Sequence, residues 1–159
     1  MKILIATACG AKKNREPMAA HRLYKSARIK AVYNRRLGND MGILSAEHGL
    51  LDAQEITEPY ERIMDEKRAL ELIPSVAEQV REYDCVIFYK GGARKSYMTC
   101  IKGACEKAKK TLVLLGFANM GGINDLPKAI ELVSEGEWSE ISNLHHAEVL
   151  YPTSRAPLF

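Results

Sequence analysis

The 159-residue sequence contains no run of about 18 apolar residues, so no segment of it reads as a membrane-spanning helix. Its opening, MKILIATACG, has one lysine and a short apolar stretch. A secretory signal needs about 7–15 apolar residues after a basic segment, so this start reads instead as a strand that ends in turn residues. The four cysteines, Cys9, Cys85, Cys100 and Cys105, include no C-x-x-C pair and no histidine partner at zinc-like spacing. That argues against a structural zinc or a disulfide framework and fits a reducing, cytoplasmic setting. No metal and no cofactor is expected, and His145 and His146 in the tail are not read as a metal site. Linkers, low-complexity tracts and internal repeats are missing too. The net charge of +3 and pI near 8.6 permit contact with phosphates without demanding it.

What is present is ordinary globular material, 47% hydrophobic and 27% charged, in one domain spanning 1–159. A chain of this length buries roughly 70% of its unfolded surface and needs no staples. Four apolar runs, at 2–7, 41–46, 84–90 and 111–116, read as buried strands. Helical patterns at 19–36, 65–82, 94–109 and 124–135 lie between and after them. The βαβαβαβα order predicts a three-layer α/β/α sandwich around a four-stranded parallel sheet. The tail, 137–159, loses periodicity, carries Pro152 and Pro157, and reads as a packed extension. Ligands of such sheets sit beyond the carboxyl ends of the strands. The loops after the strands are therefore where function is expected.

The loop after the second strand, within ILSAEHGLLDAQEITEPYE, is the richest. Ser45 marks the strand's exit, and Glu47 and His48 form a carboxylate–imidazole pair suited to proton transfer near neutral pH. Gly49 permits a sharp turn. Pro59 biases Glu58 toward extended backbone, so Glu58 is expected to fold back as a general base or ribose acceptor, with Tyr60 as a stacking wall. His48 and Glu58 are expected to converge on one crevice, whereas Asp52, Glu55 and Glu61 read as solvated or capping. The first loop, with Cys9, Gly10, Lys12 and Lys13, precedes a helix and offers N–H groups and two lysines to an anion. It is neither a Walker loop nor a G-x-G-x-x-G fingerprint. Cys9 reads as a small buried residue or a reactive thiolate.

The helix at 19–36 carries a basic face that includes Arg22, Lys25, Arg28 and Lys30, read mainly as solvated, with Tyr24 and Ser26 near the crevice. After the third strand, Tyr89, Gly91, Gly92 and Arg94 lead into a helix whose dipole favours anions, and Tyr97 lies one turn inside it. Asn124 reads as the cap of the last helix. Cys100 and Cys105 read as core residues.

Taken together, the Cys9–Gly10 turn with Lys12–Lys13, the Leu23-Tyr24-x-Ser26 helix, ILSAEHGLL and EPYE resemble a family of small, largely uncharacterised prokaryotic and phage proteins marked by an LSAxxGL signature. The resemblance covers roughly residues 1–100. The pattern is also similar to the accessory domain beside tRNA-guanine transglycosylase modules in archaeosine synthase, whose fold resembles uracil-DNA glycosylase. This resemblance implies the strand order 2-1-3-4 and points to nucleobases. Glycosylases of that fold carry a G-x-D-P-Y type loop after the first strand and a His loop after the last. Here those loops run Ala8-Cys9-Gly10-Ala11-Lys12 and Gly116-Phe117-Ala118-Asn119-Met120, so uracil excision by the known route is not expected. Two functions stand open. One is an enzyme that handles a nucleoside or nucleotide and acts on its N-glycosidic bond; the other is a non-catalytic RNA- or DNA-binding module.

Overall fold

The computed structural model describes residues 1–144 and 146–151. Its strands are β1 (Ile3–Ala8), β2 (Met18–Ala19), β3 (Asp40–Ser45), β4 (Gly49–Asp52), β5 (Ile56–Thr57), β6 (Cys85–Tyr89), β7 (Thr111–Leu115) and β8 (Ala147–Leu150). Its helices are α1 (Ala20–Leu23), α2 (Ala27–Asn34), α3 (Glu66–Val80), α4 (Lys95–Ala108), α5 (Leu126–Ser134) and α6 (Trp138–Ile141). Every residue of β1, β6 and β7 is buried, as strands covered on both faces must be. β1 pairs in parallel with β3 on one side and with β6 on the other, and β6 pairs in parallel with β7.

The sheet nevertheless departs from the four parallel strands expected. It has six strands in the order β4-β3-β1-β6-β7-β8, and both outer strands run antiparallel to their neighbours. β4 turns back on β3 directly after Glu47 and His48, where Gly49 takes φ +72°. Its outer edge is closed by one side chain. Leu50 donates its N–H to Gln79 Oε1 and accepts from Gln79 Nε2, each at 2.8 Å. β8 comes from the tail, so that part of the extension is a sheet edge. Pro152 and Pro157 lie outside the described residues.

The helical pattern at 19–36 breaks into α1 and α2. Tyr24 is extended (φ −86°, ψ 133°) and bridges to Lys13, and Ser26 caps α2 by accepting from Ile29 N–H. Asp65 caps α3 in the same way, through Arg68 N–H at 2.7 Å. Asn124 does not cap α5; it lies in a short 3-10 turn and its Oδ1 accepts from Arg35, the residue that follows α2, at 3.2 Å. Cys85, Cys100 and Cys105 are fully buried, and α3 packs along α4. No described helix is long and apolar enough to cross a membrane.

The connections leaving β1 and β6 travel in opposite directions across the sheet. β1 leads through α1 and α2 to β3, and β6 leads through α4 to β7. Loops that part above two adjacent strands leave a crevice at their carboxyl ends.

Candidate functional site

The crevice at that switch point has a volume of about 600 Å³. One wall is the loop after β1, Cys9 to Lys13, which is stitched to the chain before α2 by Lys25 N–H donating to Lys12 O at 2.9 Å. The opposite wall is Gly92, Ala93 and Arg94 at the start of α4, with Tyr97 one turn further in. Among the described residues no side chain caps this 14-residue helix, whose Tyr97 N–H donates to Arg94 O at 3.1 Å, and its dipole favours an anion at this end. The outer rim is Glu61 to Met64, and Lys25, Ser26 and Arg28 close the remaining side.

Arg28 forms part of the floor. Its guanidinium donates to the carbonyls of Ala8 and Cys9, each at 3.1 Å, and to that of Gly91 at 3.4 Å, tying the end of β1 to the end of β6. The path of this side chain explains Gly91. A Cβ there would lie 2.6 Å from Arg28 Cδ and 2.5 Å from the Tyr89 ring, and the backbone already has φ +49°. Among the described residues Arg28 Nε, a buried atom, has no hydrogen-bond partner. Among the described residues no carboxylate comes within 4.0 Å of the guanidinium, and burial lowers its pKa from the usual value. A half-buried cation that, among the described residues, meets carbonyl dipoles and no carboxylate favours an incoming anion.

A chain of hydroxyl groups holds the rim. Ser45 Oγ donates to Tyr60 OH at 2.6 Å, and Tyr60 OH is hydrogen-bonded to Tyr24 OH. Ser45 Oγ also accepts from the N–H groups of Glu47 and His48, each at 3.2 Å. Burial pushes the Tyr24 phenol up to about 12 and raises that of Tyr60 as well, so both stay protonated at neutral pH. At the other end of the segment Met64 is 1% exposed, and its carbonyl accepts from Ser96 Oγ at 2.6 Å. Pinned at Tyr60 and Met64, Glu61, Arg62 and Ile63 must span the crevice mouth. Cys9 lies inside, 9% exposed, with its Sγ 3.0 Å from Tyr97 OH, whose pKa burial raises.

The sequence candidates therefore divide. Cys9, Gly10, Lys12, Lys13, Ser26, Gly92, Arg94 and Tyr97 line the crevice, and Gly91 lies in its floor through Arg28. Tyr24, Ser45 and Tyr60 form the hydroxyl chain behind the rim, where Lys13 Nζ sits 4.5 Å from the Tyr60 ring centroid. Glu47, His48 and Glu58 are exposed and do not line the crevice. His48 sets its ring edge-on to Tyr60, with centroids 5.2 Å apart. Tyr89 is fully buried and donates to Gly121 O at 2.8 Å, so it offers no stacking face.

Three residues read as solvated from sequence also line the crevice: Glu61 and Lys25, which are exposed, and Arg28, which is half-buried. The signal for Glu61 was the Pro59–Tyr60 anchor one residue before it, which fixes where the next carboxylate lies. Among the described residues no group of three or more His, Cys, Asp or Glu is placed to hold a metal. His145 lies outside those residues.

Among the described residues six cations line the crevice, Lys12, Lys13, Lys25, Arg28, Arg62 and Arg94, against the single carboxylate of Glu61. The arrangement attracts an anion and sets one carboxylate beside it. Residues 3–116 match the model of a family of unknown function, DUF6884. No curated protein and no solved structure matches the chain.

Proposed function

The chain belongs to the DUF6884 family, and for this member we propose that the crevice binds a phosphorylated nucleoside and that Glu61 acts at its N-glycosidic bond. One observation carries the reading: six cations and one carboxylate gather over the carboxyl ends of β1 and β6, with the Arg28 guanidinium unpaired by any acid among the described residues. Lysines, arginines and the N-terminus of α4 suit phosphate oxygens. The carboxylate stabilises an oxocarbenium-like sugar as the bond to the base lengthens and takes a proton from the water that adds to the same sugar carbon. Nearby cations stabilise negative charge on the departing base, which then takes a proton from solvent. Glu61 takes the carboxylate's part assigned from sequence to Glu47 or Glu58, because it is the carboxylate that lines the crevice.

Right-handed crossovers would set α2 on one face of the sheet and α3 with α4 on the other. That three-layer reading, close to the uracil-DNA-glycosylase-like arrangement implied by the resemblance, supports a nucleobase ligand. The second reading, a binding module without turnover, draws on the same six-to-one excess of cations, which exceeds what orienting one phosphate requires.

Calorimetric titration tests the proposal with nucleoside 5′-monophosphates, the matching nucleosides and inorganic phosphate, followed by chromatography for free base. Monophosphates should bind at least tenfold more tightly than nucleosides. Base should be released by the wild type and not by Glu61→Gln. Equal affinity for nucleosides and monophosphates would sink the anion-binding reading, and base release undiminished in Glu61→Gln would sink the role of Glu61. Binding without any release would leave the module reading in its place.

A further inference from the structure

The crevice does not end at Lys25 and Ser26. Both residues also line a second depression of about 800 Å³ that runs along α1 and the length of α2. Among the described residues its cations are Arg22, Lys25 and Lys30, and no carboxylate lines it. Over the two depressions together, eight of the chain's 23 Lys and Arg are gathered with one of its 20 Asp and Glu, which leaves 15 basic against 19 acidic side chains for the rest of the molecule. The modest net charge of +3 conceals a basic path on an otherwise acidic surface.

The second depression also contains an aromatic end plate. The His21 ring stacks on Tyr33 with centroids 3.8 Å apart and planes 5° from parallel, and Arg36 Cζ lies 3.7 Å from the Tyr33 centroid. Two groups at that distance cannot share one face, so Tyr33 is sandwiched and His21 ends the stack. Burial, and then the charges of Arg22 and Arg36, lower the pKa of His21 below 6.5, which keeps the ring neutral near pH 7.

Resting on the reading that the crevice holds a phosphorylated nucleoside, we propose that its physiological ligand is a single-stranded nucleic acid. One nucleotide enters the crevice, and the adjoining strand follows the second depression with phosphates on Arg22, Lys25 and Lys30 and a base against His21. A positive groove with an aromatic platform is the combination that binds single strands, because every base has a face to stack and every linkage a charge. A duplex keeps its bases paired inside and would offer neither the crevice nor His21 a free base.

The experiment compares a nucleoside 5′-monophosphate, single-stranded RNA and DNA ten-mers and a DNA duplex, by calorimetry and fluorescence anisotropy at several salt concentrations. The wild type is set against a double variant, Arg22→Ala with Lys30→Ala. Ten-mers should bind at least tenfold more tightly than the monophosphate and the duplex. Log affinity for them should fall with log salt at a slope of about −2 or steeper, given roughly 0.7 per phosphate neutralised on a single strand. The double variant should lose about tenfold or more on ten-mers and nothing on the monophosphate; the RNA and DNA arms identify which strand is preferred. Ten-mers that bind no better than the monophosphate, a duplex that binds equally well, or a double variant that binds ten-mers like the wild type would each overturn the strand path. All three would leave monophosphate binding, and so the crevice reading, intact. Failure of the monophosphate itself to bind would overturn both. The wild-type comparisons of ligand and salt stand even if the double variant does not fold.

Discussion

Replacing Tyr60 with phenylalanine removes one oxygen and breaks two hydrogen bonds, to Ser45 Oγ and to Tyr24 OH. Ser45 is fully buried and Tyr24 is 4% exposed, so water cannot easily replace the lost partner. A buried polar group left unsatisfied costs about 1–3 kcal/mol. Ser45 Oγ keeps its two contacts from the N–H groups of Glu47 and His48, so its loss is partial. The expected cost of Tyr60→Phe is therefore about 2 kcal/mol, or about 4–8 °C in Tm for a chain of this size. Tyr24→Phe breaks one of the same bonds and should cost about 1 kcal/mol. Because that bond is shared, the double variant should cost less than the sum of the singles by about 1 kcal/mol. Urea denaturation of the four proteins measures the cycle. A Tyr60→Phe effect below about 0.3 kcal/mol, or strict additivity, would refute the hydroxyl chain as the anchor of the rim. If the anchor holds, Tyr60→Phe also loosens the segment that carries Glu61, and ligand affinity should fall although the oxygen removed is not at the crevice surface.

The same chain predicts an alkaline limit. The Tyr24 phenol is raised from 10 to about 12, so its stabilisation is complete below pH 10 and is lost as pH rises toward 12, where the unfolded chain has already ionised. Tyrosinate absorbance of the native protein should lag that of the urea-unfolded protein across this window, and coincident curves would contradict the burial. Gly116→Ala should cost about 2–4 kcal/mol, since φ is +95° and the new Cβ would press on the Tyr89 ring and lie 3.0 Å from Gly121 O. A thermal melt indistinguishable from wild type would show that the loop after β7 gives way freely. Of the four thiols, Cys9 at 9% exposure inside the crevice should react first with an aromatic disulfide reagent, while Cys85, Cys100 and Cys105 at 0% wait for unfolding. A nucleoside monophosphate should slow that first reaction, and labelling unaffected by ligand would argue against the crevice as its site.

The strands of the parallel core were legible because a strand covered on both faces must be apolar along its whole length, and four such runs are plain in the sequence. The edge of the sheet at which the site lies was legible for the same reason, since the order of strands and helices fixes where the loops part. β4 and β8 were not. Each is four residues long, and β8 is only half buried, so neither leaves the apolar signature of a core strand; pairing with β3 and β7 alone makes them strands. The break between α1 and α2 was hidden because it depends on a bridge from Lys13, eleven positions earlier. Sequence also named the first loop and the two-glycine turn, each within a few positions of a strand's end, and Tyr97 in the first turn of α4, as candidate site residues. It gave the carboxylate role to Glu47 and Glu58 and read Glu61, Lys25 and Arg28 as solvated; Glu61 and Lys25 are indeed exposed, yet they line the crevice. Local pattern cannot say which exposed charges meet at one crevice. Here the meeting was decided by Tyr60 bonded to Ser45 and Tyr24, by Met64 buried beneath Ser96, and by carbonyls from two different strand ends meeting under Arg28.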